Sequence, residues 1–104
     1  MTAPGTPGAW SVLITPQVRT VLDAMIDSGE AGLHRGLGNY LRALGLEAEA
    51  AIKAGKRLPG IRMPDSVQGN QAYSVDVPHE GVFLTYEVVA AAQAFHITTM
   101  IWTG

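Results

Sequence analysis

Four cations fall within ten positions of one another, Lys53, Lys56, Arg57 and Arg62, and they form the only basic cluster in the chain. They follow an apolar helical pattern, so the plainest role for them is to complement the negative end of a helix dipole. A second reading is that they hold an anionic group. Glu87 and His96 can face one another across adjacent strands, either as an acid–base pair or as an ordinary cross-strand pair. Tyr86 has a hydroxyl suited to proton transfer, yet it alternates with Val82, Leu84 and Val88, which places it in a core. His79 and Glu80 sit in a short turn, and His34 and Arg35 sit near the start of a helix, where exposed polar side chains are expected. The three His are scattered, and no His/Asp/Glu spacing sets metal ligands on one face, so neither a metal nor another cofactor is implied. Gly36-Leu37-Gly38 lies inside a helical pattern and does not follow a strand, so it is not a phosphate-cradling loop.

The elements that must position these groups can be read in order. Residues 1–8 contain two Pro and two Gly and are expected to form a disordered tail, leaving 9–104 as a single domain. Trp10-Ser-Val-Leu-Ile14 predicts a first strand. Thr15-Pro16 is a helix-start signal, with the Thr hydroxyl placed to cap free amides. Val18, Val21, Leu22, Met25 and Ile26 then recur at helical spacing, and Ser28-Gly29 ends the run.

A second, longer helix is predicted from Glu30 to Ala54 on the period of Leu33, Leu37, Tyr40, Leu41, Leu44, Ala48, Ala51 and Ile52. Gly36, Gly38 and Gly45 each cost about 1 kcal/mol relative to Ala inside a helix. They therefore suggest a late start, a bend, or close approach of a neighbouring element. Gly55 is the expected C-cap. Residues 58–71 carry Pro59-Gly60, Pro64-Asp65 and Gly69-Asn70 and read as a loop.

Three strands follow, at Tyr73–Val77, Val82–Val89 and Phe95–Trp102. In the last of them Phe95, Ile97, Thr99 and Ile101 are expected on one face, and His96, Thr98, Met100 and Trp102 on the other. Both faces are mixed, which predicts an apolar surface able to bind another chain.

Composition narrows the function classes. The chain has 104 residues, 47% of them apolar, with no cysteine and a net charge of −2. Its size suits one small core, its lack of cysteine rules out a disulfide framework, and its acidic balance argues against a general electrostatic grip on nucleic acid. The opening residues lack a signal-peptide pattern, no stretch reaches the length of a membrane helix, and a cytoplasmic protein is expected.

The order strand, helix, helix, strand, strand, strand resembles the RelE/ParE superfamily of toxins from type II toxin–antitoxin systems. The resemblance rests on Ile14-Thr-Pro-Gln17, the exit from the second helix at Gly55 to Pro59, Tyr73-Ser-Val-Asp-Val77 and Tyr86-Glu-Val88. It implies an α+β, β-α-α-β-β-β fold in which an N-terminal helical hairpin packs on one face of an antiparallel sheet. It also implies a toxin-like protein that binds a cognate antitoxin and a cellular target, either the ribosome with its mRNA or DNA gyrase, as a homodimer or hetero-oligomer. An active member would be a ribosome-dependent mRNA endoribonuclease. Lys53, Lys56, Arg57 and Arg62 would then hold phosphates, with Arg62, Tyr86, His96 and Glu87 as catalytic candidates. The strand positions where RNA-cleaving members usually carry Arg correspond here to Ser74, Asp76 and Phe83, none of them basic. The resemblance therefore implies binding more strongly than catalysis.

Overall fold

A computed structural model describes residues 10–103. The expected tail at 1–8 lies outside the described residues. The order of elements is β1 (Ser11–Ile14), α1 (Pro16–Asp27), α2 (Ala31–Ala54), β2 (Ile61–Met63), β3 (Gln71–Val77), β4 (Val82–Val89) and β5 (Ala94–Trp102), with a 3₁₀ turn at Ala90–Ala92. The class is α+β, with two helices against one five-stranded sheet of order β1-β5-β4-β3-β2.

Two expectations about the sheet need correction. The sheet is mixed, because β1 runs parallel to β5 while every other pairing is antiparallel. Strand direction across such a long chain separation leaves no mark on local periodicity. The segment 58–71 also holds the short edge strand β2, which pairs Ile61, Arg62 and Met63 with Ser74, Tyr73 and Ala72. Three residues between turn signals are too few to show an alternation.

The helices form as their spacing predicts. Val18 and Met25 of α1 are buried, as are Leu37, Leu41, Leu44 and Ala48 of α2, whereas Ile26 at the margin of the α1 stripe is exposed. These residues meet Tyr73, Val75, Val77, Val82, Leu84, Tyr86, Phe95, Ile97 and Met100 in one core. Helix α1 keeps Pro16 at its first position, but the Thr15 side chain does not cap it. Its hydroxyl donates instead to the Thr98 carbonyl at 3.0 Å, so it serves the sheet rather than the helix.

The glycines of α2 divide sharply. A Cβ at Gly36 or Gly38 would meet nothing within 4 Å, whereas one at Gly45 would sit 2.4 Å from Val12 Cγ2. Gly45 is thus the point where β1 lies directly on the helix.

A bulge resets the faces of β5. Tyr86 pairs with Ile97 and Thr85 with Thr99, which leaves Thr98 as the extra residue. Phe95 and Ile97 face the helices before the bulge, and Met100 does so after it, so the predicted simple alternation fails beyond Ile97. Thr98 itself donates its hydroxyl to the Thr85 carbonyl at 3.3 Å.

Beyond Ile14 the strand β1 has ended, yet the outer edge of β5 continues. There the Gln17 side chain donates from Nε2 to the Met100 carbonyl at 3.2 Å and accepts the Met100 amide on Oε1 at 3.0 Å. One glutamine from α1 therefore stands in for a missing strand residue. That closes both backbone groups of Met100.

Candidate functional site

The exit from α2 arranges the basic cluster. Gly55 takes a left-handed conformation with φ +66°, its amide bonds the Ile52 carbonyl at 3.2 Å, and the Lys56 amide bonds the Ala51 carbonyl at 2.8 Å. This is the glycine-capped stop that the sequence predicts. The chain then turns through Leu58, which is buried, to Pro59, whose carbonyl accepts the Tyr86 hydroxyl at 2.6 Å. At Gly60, with φ +99°, a Cβ would come within 2.7 Å of the Ser74 carbonyl, so only glycine lets the chain enter β2 at this point.

Arg57, Gly60, Ile61, Arg62 and Tyr73 line an open cleft of about 510 Å³ beside this turn. The Arg62 guanidinium is held on three sides. It donates to Asp65 Oδ1 at 2.6 Å and to the Met63 carbonyl at 2.7 Å, and it lies 5.5 Å from the centre of the Tyr73 ring. Lys53 is engaged in a similar way by Glu49 at 2.7 Å. Lys56 and Arg57 are exposed and have no ion pair among the described residues. The predicted set of four thus separates into two neutralised cations and two free ones. Arg57 and Arg62 alone share the cleft.

The remaining candidates do not join them. Tyr86 is 1% exposed, its hydroxyl is committed to Pro59, and its ring stacks on Tyr73 with centres 5.3 Å apart. Burial, foremost, and the neighbouring Tyr73 hold its hydroxyl far above the usual tyrosine range. Its bond to Pro59 fastens the entry to β2. Glu87 and His96 are direct partners across β4 and β5, as the alternation predicts. However, the Glu87 carboxylate accepts from Asn70 Nδ2 at 3.2 Å, and no ion pair with His96 forms among the described residues. His79 and Glu80 are exposed in the β3–β4 turn, where His79 adopts φ +66°.

Faces decide what the cleft can do. Arg62 pairs with Tyr73, whose side chain is buried against the helices, so the cleft opens on the helix side of the sheet edge. Ser74, Asp76 and Phe83 belong to the opposite, uncovered face, where Asp76 pairs with Phe83 and Ser74 with Thr85. Phe83 and its partner Ile101 are 45% and 56% exposed there. No Arg or Lys occurs in β3, β4 or β5. A phosphate on the uncovered face would meet no strand-borne cation.

Sequence reasoning missed a second concavity. Trp10, Val12, Ile14, Arg19, Leu41, Arg42, Leu46 and Glu49 border a groove of about 730 Å³ between β1 and the helices. A signal was present in Leu46, which is out of phase with the buried stripe of α2 and is 67% exposed. Among the described residues no group of three or more His, Cys, Asp or Glu is placed to hold a metal, and no helix is long and apolar enough to cross a membrane. Comparison of the chain with protein-family models, with curated proteins and with solved structures found no match.

Proposed function

We propose that this chain is a toxin-like, partner-binding protein of the RelE/ParE kind that engages an antitoxin and a cellular target through its surface rather than by cutting RNA. The observation that carries this reading is the separation of charge from the sheet. The positions that would need Arg for cleavage, Ser74, Asp76 and Phe83, lie on an uncovered face without Arg or Lys, and the nearest basic residues line a cleft on the other side. A scissile phosphate would lack the electrostatic stabilisation that usually supplies most of the rate. The helical hairpin against one face of the sheet, with Phe83 and Ile101 exposed on the other, supports the binding half of the reading.

A specific observation favours one alternative, the ribosome-dependent mRNA endoribonuclease: Arg57 and Arg62 share a cleft with the Tyr73 ring, an arrangement suited to a nucleotide. The two readings separate in a single set of assays. Induced expression should arrest growth without cutting mRNA in a ribosome-containing extract, and co-expression of a small neighbouring frame should relieve the arrest. A gyrase supercoiling assay then distinguishes a gyrase-directed binder from other targets. Cleavage of mRNA that is lost in Arg62→Ala would overturn the binding-only reading, and the absence of any growth effect would leave a degenerate oligomerising protein.

A further inference from the structure

Among the described residues nothing pairs with the outer edge of β1. The Ser11 amide bonds the Gln93 carbonyl at 3.1 Å and the Thr15 amide bonds the Ile97 carbonyl at 3.2 Å, so Ser11, Leu13 and Thr15 direct their backbone groups toward β5. Alternation then sends those of Trp10, Val12 and Ile14 to the free side. There the Trp10 amide finds Glu49 Oε1 at 3.2 Å, while the Val12 amide and carbonyl meet no partner among the described residues. Exposed edges are commonly blunted by Lys, Pro or a bulge, and Ser11–Ile14 has none of these. The opposite edge, by contrast, is three residues of β2 followed directly by Pro64.

The groove beside this edge has polarity. Val12 lies against Gly45 and Trp10 against Glu49, so α2 runs back along β1 and its earlier turn, with Arg42, falls toward Ile14. Arg19, one turn into α1, borders the same end. Neither arginine has a carboxylate partner among the described residues; Arg42 bonds only the neutral Asn39 Oδ1, at 2.9 Å. The one acid of the groove, Glu49, is already taken by Lys53 and the Trp10 amide. The Trp10 end is thus apolar and neutral, with Leu46 exposed beside it, and the Ile14 end carries two unbalanced positive charges.

We propose that β1 receives an extended segment of a partner protein as a sixth strand, with apolar side chains seated against Trp10, Val12 and Leu46 and carboxylates against Arg19 and Arg42. Backbone bonds to Val12 set the register, and the groove reads alternate side chains. A second copy pairing through its own β1 is the poorer occupant, because Ser11–Ile14 carries no carboxylate. The proposal does not rest on the toxin reading, and a chain without effect on growth would bind such a segment equally well.

The test is a titration of the isotopically labelled full chain, followed by amide resonances. The probes are two synthetic peptides of about eight residues, the length of an ordinary strand, alternating valine and threonine with two glutamates at the N-terminal end of one and the C-terminal end of the other, so that either strand direction can set the glutamates against Arg19 and Arg42. The expected result is saturable shifts centred on Val12, Ile14 and Leu46 with slowed exchange of the Val12 amide. The affinity should fall about tenfold or more when the glutamates are replaced by lysines, and equally in the Arg19→Glu/Arg42→Glu variant, whose exposed substitutions preserve the fold. Equal binding of the lysine peptide, shifts centred on Phe83 and Ile101, no saturation by either probe at millimolar peptide, or protection of Val12 by self-association alone would each overturn the proposal.

Discussion

Replacing Gly45 with alanine should destabilise the protein, although the same change at Gly38 in the same helix should stabilise it. Both positions lie within α2, where alanine is favoured over glycine by about 1 kcal/mol. At Gly38 nothing lies within 4 Å of the new Cβ, so the full gain is expected. At Gly45 the new Cβ would stand 2.4 Å from Val12 Cγ2, well inside the roughly 3.5–4.0 Å of a comfortable carbon contact. Val12 is β-branched and stiff, and its backbone is held in the pairing with β5, so relief requires β1 to move away from the helix. Overpacking of this kind costs about 1–3 kcal/mol. Set against the propensity gain, the net loss is about 1 kcal/mol, or about 4–8 °C in Tm for a domain of this size. Thermal and urea unfolding of Gly38→Ala, Gly45→Ala, Val12→Ala and the Gly45→Ala/Val12→Ala pair form a cycle. The double variant should be more stable than the sum of the single changes by more than about 0.5 kcal/mol. If Gly45→Ala stabilised the chain as much as Gly38→Ala, the close approach of β1 to α2 would be wrong.

Three other perturbations have defined outcomes. Gln17→Ala removes both part-buried bonds to the backbone of buried Met100, so it should cost about 1–3 kcal/mol and accelerate hydrogen exchange at the Met100 amide selectively. Tyr86→Phe leaves the Pro59 carbonyl without its donor and should cost about 1–2 kcal/mol by urea unfolding. Because Tyr86 is raised, the wild type should also lose stability above the ordinary tyrosine value near pH ~10, where the unfolded chain ionises first, and Tyr86→Phe should lose less. Glu49 is held below the usual carboxylate value, chiefly by its hydrogen bond from Lys53. Its contribution is complete above that usual value and disappears as the pH falls through the lower folded value, so Glu49→Gln should flatten the acid limb of a stability–pH curve.

The helices were legible because their apolar stripes are long enough to repeat, and Gly55 because a left-handed stop leaves a chemical signature. That Glu87 and His96 could face one another was open to alternation, and the register of β4 with β5 makes them direct partners. What failed was non-local or singular. The parallel union of β1 with β5 joins segments about a chain length apart, and β2 is too short for a pattern. The extra residue at Thr98 inverts a face without any change of residue type that would announce it. The hydroxyl of Thr15 was open to two uses, and the sheet claimed it. In the site, proximity in sequence grouped four cations that local acids then divided, because Glu49 and Asp65 lie within reach of Lys53 and Arg62 but not of Arg57.

The parallel seam between β1 and β5 also imposes an order on synthesis. Thr15 and Thr98, which bond to each other, are 83 positions apart. A nascent chain can wind α1 and α2 early, but β1 has no strand to join until β5 has cleared the ribosome. Until then the apolar sides of both helices and the edge of β1 that β5 will pair remain without the partner that shields them. Such long-range closure slows folding and prolongs the interval in which a growing chain is vulnerable to chaperones, proteases and its own neighbours on the same message.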